Sequence, residues 1–216
     1  KTAYEMLRSL VGSEMCIRDR ANFIASPSEF LKGSIKVPGD KSISHRSIML
    51  GSIANGVTNV SGFLEGEDTL ATLNAFKDMG VKIEREGSNV VINGVGMNGL
   101  RPSLKPLNLG NSGTSIRLMT GLLSAQSFDS MLCGDESLSE RPMARIIDPL
   151  REMGAIIKSS DSMPPLSISG NQKLSALKYT LPVASAQIKS CLLLAGLYAD
   201  GETCITENET TRDHTE

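Results

Sequence analysis

Three segments of this chain repeat one pattern, in which small polar residues and a cation stand at the start of a predicted helix. The cations in equivalent positions are Arg46, Arg117 and Lys189, which are 71 and 72 residues apart. A repeat of this length is one supersecondary unit, and such a unit cannot bury its hydrophobic face alone. The repetition therefore predicts an α/β fold in which similar units pack around a shared core.

The first copy predicts the order of elements within a unit: strand, helix, strand, helix, strand, strand. Helical periodicity follows Lys41 and ends before Asn55-Gly56, after which a short strand is expected. Asp68 is expected to cap the second helix, and Gly80 is expected to end it as the C′ residue. Two strands joined by a glycine-containing turn then close the unit.

The second and third copies follow the same order. Pro142 is expected at the first position of a helix that Gly154 ends. In the third copy a helix is expected from Ile188, and a further helix is expected to begin near Asp213. Because the chain stops inside this last element, the pattern favours a piece of a longer protein.

The repeated helix starts indicate what kind of ligand the chain binds. The first turn of a helix offers unpaired N–H groups and the positive end of the helix dipole. Three such turns brought together would form one concentrated anion site. The sequence therefore predicts a small, multiply charged substrate.

The charge balance argues against other classes of partner. Lys and Arg number 22 and Asp and Glu number 24, so the net charge is −2. Attraction of an anion must then come from local clustering of cations, and a nucleic-acid surface is not indicated. No apolar run approaches the roughly 18 residues that span a membrane.

The cysteines and glycines give no sign of a metal or cofactor. The four cysteines have neither C-x-x-C nor metal-ligand spacing, and Cys191 lies in an apolar run typical of a buried thiol. We expect a reducing compartment, no disulfide framework and no structural zinc. No G-x-G-x-x-G or P-loop pattern is present, so no nucleotide cofactor is expected. Residues 1–20 do not fit the rest and are expected to be a non-native or disordered extension.

Five motifs in order resemble 5-enolpyruvylshikimate-3-phosphate synthases, and most of all the bacterial forms that carry the last of them. The motifs are GDKSISHR at 39–46, GNSGTSIR at 110–117, ERPM at 140–143, SAQ at 185–187 and TRDHTE at 211–216. The resemblance covers residues 30–216. One such motif would be a weak signal, whereas five at consistent spacing are a specific one.

The resemblance implies an inside-out α/β barrel of two lobes, each made of three βαβαββ units with their sheets outward and helices inward. The helix starts would face the cleft between the lobes. Residues 21–39 would belong to the second lobe. Residues 40–216 would form the first lobe, with repeats near 40–110, 111–181 and 182–216, the last one incomplete. The remainder of the second lobe would lie outside this chain.

The resemblance also implies an activity. These enzymes transfer the enolpyruvyl group of phosphoenolpyruvate to the 5-hydroxyl of shikimate 3-phosphate and release phosphate. The reaction needs acid and base groups for its proton steps and cations that neutralise phosphates and carboxylates. It uses no cofactor or metal, and the complete protein is expected to be a cytoplasmic monomer. This chain alone is expected to be inactive.

The resemblance assigns site residues by motif. Lys41 would touch both substrates and donate a proton. Shikimate 3-phosphate would be held by Lys41, Ser42, Arg46, Ser185, Ala186, Gln187 and Arg212. Phosphoenolpyruvate would be held by Lys41, Asn111, Gly113, Thr114, Arg141 and Gln187. Arg117 belongs to the same motif as Gly113. In these enzymes the inhibitor glyphosate occupies the phosphoenolpyruvate site, and glyphosate-tolerant forms often carry alanine at the position of Gly113. The resemblance therefore also implies that the full-length enzyme is sensitive to glyphosate.

Other polar residues are given structural interpretations. His45 and His214 are expected to have packing or surface roles, and Asp68 and Asp213 are expected to be helix caps. The methionines are expected to fill the core.

Two rival functions stay open at this point. The related transferase that acts on UDP-N-acetylglucosamine shares the fold, but it usually has Lys-Asn where this chain has Lys41-Ser42, and it uses a loop cysteine. A non-catalytic anion-binding module is the second rival.

Overall fold

The computed structural model of the chain describes residue 30 and residues 32–216. The extension expected at residues 1–20 lies outside these residues, as do residues 21–29 of the segment assigned to a second lobe. Residues 32–40 form neither helix nor strand and are mostly exposed. The assignment of residues 21–39 to another lobe stays a prediction.

The first unit forms an antiparallel sheet covered on one side by two helices. Its elements are α1 (Lys41–Ile53), β1 (Asn55–Val60), α2 (Glu67–Asp78), β2 (Lys82–Glu86) and β3 (Asn89–Val95). The strand order is β1-β3-β2, and β3 pairs antiparallel with both neighbours. Both helices pack against this sheet, whose outer face is largely exposed.

The second unit has the full predicted order of elements, with one short extra helix. Its elements are β4 (Leu107–Asn108), α3 (Gly113–Leu123), β5 (Ser130–Cys133), α4 (Glu136–Ser139), α5 (Ala144–Glu152), β6 (Ile157–Ser160) and β7 (Met163–Ile168). The strand order is β4-β5-β7-β6, with β4 and β5 parallel and the other pairs antiparallel. The βαβαββ prediction is therefore confirmed for this unit.

The third unit consists of β8 (Lys178–Thr180), α6 (Ala186–Gly196) and β9 (Cys204–Thr206), with the two strands parallel. The helix expected near Asp213 is not formed, and residues 207–216 contain neither helix nor strand. An α-helical bond joins an N–H to the carbonyl four residues earlier, and only three residues follow Asp213.

The first helix of each unit begins with the same cap. The side chains of Asp40, Ser112 and Ser185 each accept a hydrogen bond from the backbone N–H three residues later, at 2.8, 3.2 and 3.4 Å. Such a cap satisfies one of the orphan donors and leaves the others of the first turn available. The repeated local sequence thus produces three similar helix starts.

The second helices begin differently from the prediction. Gly66, not Asp68, is the N-cap of α2, and Asp68 lies inside the first turn, where the helix dipole favours a negative charge. Pro142 precedes α5, whose N-cap is Met143 and whose first residue is Ala144. The N–H of Met143 donates to the carbonyl of Ser162 at 2.8 Å. The expected helix ends are confirmed by positive φ angles at Gly80 and Gly154, +89° and +102°.

The three first helices share one core. α3 and α6 approach so closely that a Cβ on Gly121 would lie 2.1 Å from the carbonyl oxygen of Cys191. Cys191 is fully buried, as expected, and burial raises the pKa of its thiol to about 12. In the part of the chain that the structure describes, five methionines are likewise fully buried: Met49, Met79, Met119, Met143 and Met153. Among the described residues, no helix has the length and apolar character needed to cross a bilayer.

Candidate anion-binding site at three helix starts

Side-chain hydrogen bonds tie the starts of the three first helices to one another. Between α1 and α6, Nη2 of Arg46 donates to Oγ of Ser190 at 2.6 Å. Between α6 and α3, Nε2 of Gln187 donates to Oγ1 of Thr114 at 3.1 Å. Residues that lie 73 or 144 positions apart in the chain therefore meet at one end of the helix cluster.

The third connection, between α1 and α3, is a buried polar network that includes α2. Nδ1 of His45 lies 2.8 Å from Oγ1 of Thr72, which lies 2.6 Å from Oγ of Ser115, and Ser115 lies 2.6 Å from the capping oxygen of Ser112. Burial is the main reason why the pKa of His45 falls to about 4, with Lys41 and Arg46 adding to the effect and Asp68 opposing it. A neutral, fully buried His45 matches the packing role expected of it. His214 is partly exposed, 3.7 Å from Asp40.

Lys41 and Ser42 occupy the first turn of α1. The ammonium group of Lys41 forms an ion pair with Asp68, yet 42% of the Lys41 side chain stays exposed. A ligand can therefore reach Lys41 without rearrangement of the helix. Asp68, which was expected to cap a helix, is instead the carboxylate that holds this cation.

Arg46 is placed differently from the expectation of an open ligand-binding cation. The residue is only 6% exposed. Its guanidinium donates to the carbonyl of Ser42 at 3.0 Å and to Oγ1 of Thr215 at 2.6 Å, in addition to Ser190. Burial lowers its pKa, with Glu216 and Asp40 opposing the shift. In this arrangement Arg46 holds Ser42, Ser190 and Thr215 together.

The start of α3 brings together the residues assigned to phosphoenolpyruvate. Arg141 donates a hydrogen bond from Nη2 to Oδ1 of Asn111, and Nδ2 of Asn111 donates to Oδ2 of Asp135 at 2.9 Å. A Cβ built on Gly113 would lie 2.9 Å from Nη1 of Arg117 and 2.9 Å from Nη1 of Arg141. The tips of two guanidinium groups therefore converge over a residue that has no side chain.

This convergence of like charges is the clearest electrostatic sign of an anion site. Burial is the main reason why the pKa of Arg117 is lowered, and Arg141 and Arg145 contribute in the same direction. An anion bound between Arg117 and Arg141 would relieve their repulsion and add charge-assisted hydrogen bonds. The backbone at Gly113 leaves room for it to approach the first turn of α3.

The third copy contributes polar groups but not its expected cation. The capping hydroxyl of Ser185 can still donate a hydrogen bond, and the carbonyl of Ala186 accepts one from Ser190 at 2.6 Å. Arg212 is exposed on residues 207–216. Lys189 is buried and forms ion pairs with Glu207 at 2.8 Å and Glu216 at 2.5 Å. The charge of Lys189 is therefore neutralised within the protein.

The family of the chain follows from comparison with known sequences. A sequence profile of EPSP synthase (3-phosphoshikimate 1-carboxyvinyltransferase) matches residues 25–216. The chain belongs to the EPSP synthase family. The resemblance described above is thereby confirmed.

Individual relatives agree with this assignment. The 3-phosphoshikimate 1-carboxyvinyltransferase of Ruthia magnifica is 67% identical over 196 residues, and that of Nitrosococcus oceani is 58% identical over 201 residues. An EPSP synthase structure from Acinetobacter baumannii matches with a TM-score of 0.82 and 61% identity, over 85% of this chain and 42% of that one. The Ruthia and Nitrosococcus relatives align with 91% and 92% of this chain, and the chain spans 45% of the length of each. The fold is therefore that of an EPSP synthase lobe.

Two acidic residues that hold site residues of this EPSP synthase family member were not assigned to the site from the sequence. Asp135 caps α4 by accepting from the N–H of Leu138 at 2.8 Å, and it also holds Asn111. Asp68 holds Lys41. The run Gly134-Asp135-Glu136-Ser137 carries an N-cap signal, and it would have located α4 and Asp135. The Lys41–Asp68 pair joins residues on different helices, and no local pattern reports it.

Proposed function

We propose that this chain provides the shikimate 3-phosphate-binding lobe of a 3-phosphoshikimate 1-carboxyvinyltransferase. The observation that carries the proposal is the meeting of three capped helix starts with Lys41, Arg117 and Arg141, in a chain of the EPSP synthase family. Because the chain spans 45% of its curated relatives' length, the complete site includes groups from elsewhere. The protein that carries it acts as a monomer in the cytoplasm.

Shikimate 3-phosphate occupies the side of the site formed by α1 and α6. Its contacts come from Lys41, Ser42, Arg46, Ser185, Ala186, Gln187 and Arg212. The Arg46–Ser190 bond between the two helices supports this grouping. Arg46 holds Ser42 in place, and it contacts the ligand when its hydrogen bond to Thr215 is released. The exposed Arg212 offers a guanidinium that can bind phosphate in a bidentate manner.

Phosphoenolpyruvate occupies the start of α3. Its contacts come from Lys41, Asn111, Gly113, Thr114, Arg141 and Gln187. The convergence of the Arg117 and Arg141 guanidinium groups at Gly113 supports this assignment. The Gln187–Thr114 bond joins the two substrate positions, so Gln187 is placed to contact both ligands.

Lys41 delivers a proton to the methylene carbon of phosphoenolpyruvate. The 5-hydroxyl then attacks the cationic carbon, and a C–O bond forms as the hydroxyl proton is lost to a base. Removal of a methyl proton from this tetrahedral adduct restores the double bond as phosphate leaves. In the free protein Asp68 holds the Lys41 ammonium, and an anionic substrate at the helix starts competes with Asp68 for it.

Titration calorimetry of the 216-residue chain tests the substrate assignment. Shikimate 3-phosphate should bind, whereas UDP-N-acetylglucosamine at the same concentration should not. Binding of the UDP-sugar alone would favour the rival transferase. Absence of binding by either compound would contradict the proposal for this lobe.

A hybrid protein tests the reaction. The chain is fused to the part of the Ruthia magnifica relative that it does not cover, which the 67% identity of the shared part makes feasible. Phosphate release that requires both shikimate 3-phosphate and phosphoenolpyruvate is expected. A hybrid that binds both compounds without turnover would favour the non-catalytic anion-binding module.

A further inference from the structure

Lys189 is the cation of the third repeated helix start, and it forms ion pairs with two carboxylates of the protein. Its side chain is 7% exposed and pairs with Glu207 and Glu216 at 2.8 and 2.5 Å. Both carboxylates lie on residues 207–216, which we call the Arg212 segment. We propose that Lys189 is a positioning residue that fixes the Arg212 segment against α6 and thereby sets the affinity for the phosphate of the substrate. The inference rests on the proposed function.

The Arg212 segment is held by side-chain hydrogen bonds and ion pairs, because it has no secondary structure of its own. It contains neither helix nor strand, so no backbone ladder holds it. At its beginning, Glu207 accepts from Lys189 and from Oγ1 of Thr211. A buried ammonium that meets two carboxylates is therefore the main anchor of this part of the chain.

The far end of the segment is anchored on the same helix and on α1. Oγ1 of Thr215 accepts from Nε of Arg46 at 2.6 Å and lies 2.6 Å from Oγ of Ser190. Ser190 is the residue after Lys189, so both anchors lie on adjacent positions of α6. Arg212 lies between the anchored Thr211 and Thr215 and is itself exposed. The neighbours of Arg212 restrict its backbone while its guanidinium stays available.

The ion pairs keep Lys189 charged although its side chain is buried. Burial opposes the charge of Lys189, but the hydrogen bonds to Glu207 and Glu216 outweigh it and raise its pKa. The hydrogen bonds from Lys189 and Thr211 lower the pKa of Glu207. The anchor is therefore ionised throughout the physiological range. Lys189 acts on the ligand only through the placement of Arg212.

The first test is a double-mutant cycle read out as the Kd for shikimate 3-phosphate. Lys189→Met keeps the aliphatic stem and removes the cation, and we expect it to weaken binding about tenfold, since a misplaced Arg212 would lose about the worth of one charged hydrogen bond to the phosphate. In an Arg212→Met background the same change should alter Kd by less than about twofold, because coupled residues are not additive. Lys158→Met, at an exposed lysine of β6, is the matched control and should leave Kd unchanged.

The cycle separates positioning from general destabilisation. If Lys189→Met weakens binding equally in both backgrounds, the effect does not pass through Arg212 and the inference is overturned. An unchanged Kd in the single variant would overturn it as well. If Lys189→Met does not fold, Glu207→Gln removes one partner at the less buried end of the pair. It should act in the same direction with a smaller effect, again only when Arg212 is present.

A second test needs no substrate and so distinguishes this inference from the proposed function. Trypsin cleaves after Arg212, and the rate of that single cleavage reports the mobility of the segment. Lys189→Met should accelerate cleavage after Arg212 several-fold relative to cleavage after Arg85 in the first unit, and Lys189→Arg should restore most of the protection. Equal rates in wild type and Lys189→Met would overturn the anchoring role even if shikimate 3-phosphate binds. If wild type shows no binding while the cleavage rates differ as expected, the proposed function fails and the anchor stands.

Discussion

At the scale of single residues, Lys41 connects the site to the chemistry. Its ammonium is paired with Asp68 while 42% of the side chain remains exposed, and the proposed function has it contact both substrates. In the hybrid enzyme, Lys41→Met should lower kcat by about 10²–10⁴-fold, the range for loss of an acid–base group. Steady-state kinetics of phosphate release will measure it. A raised KM with an unchanged kcat would leave Lys41 with a binding role only.

Gly113 determines how far the two guanidinium groups can close on a ligand. In Gly113→Ala the new methyl group would lie 2.9 Å from the tips of Arg117 and Arg141, and these flexible ends must move. The longer inhibitor glyphosate should lose more affinity than phosphoenolpyruvate, because discrimination is a difference between two affinities. Paired inhibition curves of the hybrid will test this. Gly66→Ala, where the methyl group would lie 3.8 Å from Thr69, is the control and should change neither constant.

His45 should make stability depend on pH in mildly acidic solution. Its pKa is about 4 in the folded chain against 6.5 for the free side chain, so the unfolded state binds the additional proton as pH falls. The free energy of unfolding should therefore fall by about 3 kcal/mol between pH 6.5 and pH 4. Urea unfolding of His45→Asn should lack this part of the pH dependence. His214→Asn, at a partly exposed histidine, should retain it.

At the scale of elements, the close contact of α3 and α6 rests on one glycine. In Gly121→Ala the methyl group would meet backbone, the Cys191 carbonyl at 2.1 Å, and backbone cannot turn aside as a side chain does. A loss of about 1–3 kcal/mol of unfolding free energy is expected, despite the better helix propensity of alanine. The matched control is Gly51→Ala in α1, whose methyl group would meet the end of the Ile92 side chain at 2.9 Å. Equal stability of the two variants in urea would contradict the packing argument.

The elements also show how far local sequence patterns reach. Helical periodicity located α1, and the glycines at 80 and 154 marked helix ends correctly, because periodicity and positive φ are local properties. The start of α5 was predicted at Pro142, two residues before its observed start at Ala144, because proline is favoured at the first helical position but does not fix it. The Lys189–Glu207 pair was missed because residues 18 apart meet only in the fold.

At the scale of the whole molecule, the three units share one hydrophobic core and should therefore unfold together. α2 of the first unit packs on α3 of the second, and α5 of the second packs on α6 of the third. The bonds Arg46–Ser190 and Gln187–Thr114 connect the same units. The 72-residue repeat predicted this arrangement, because a single unit cannot bury its own hydrophobic face.

A substitution in one unit should therefore destabilise the others. Phe76 of α2 is fully buried, and Phe76→Ala should remove about 3–5 kcal/mol of unfolding free energy. Hydrogen exchange will measure whether the slow amides of α6, in the third unit, lose the same free energy as those of α1. Val57→Ala, at a side chain that is 60% exposed on β1, is the control and should leave both sets unchanged. Protection lost in α1 but retained in α6 would mean that the first unit opens by itself, and the helix starts would then not be held in one rigid site.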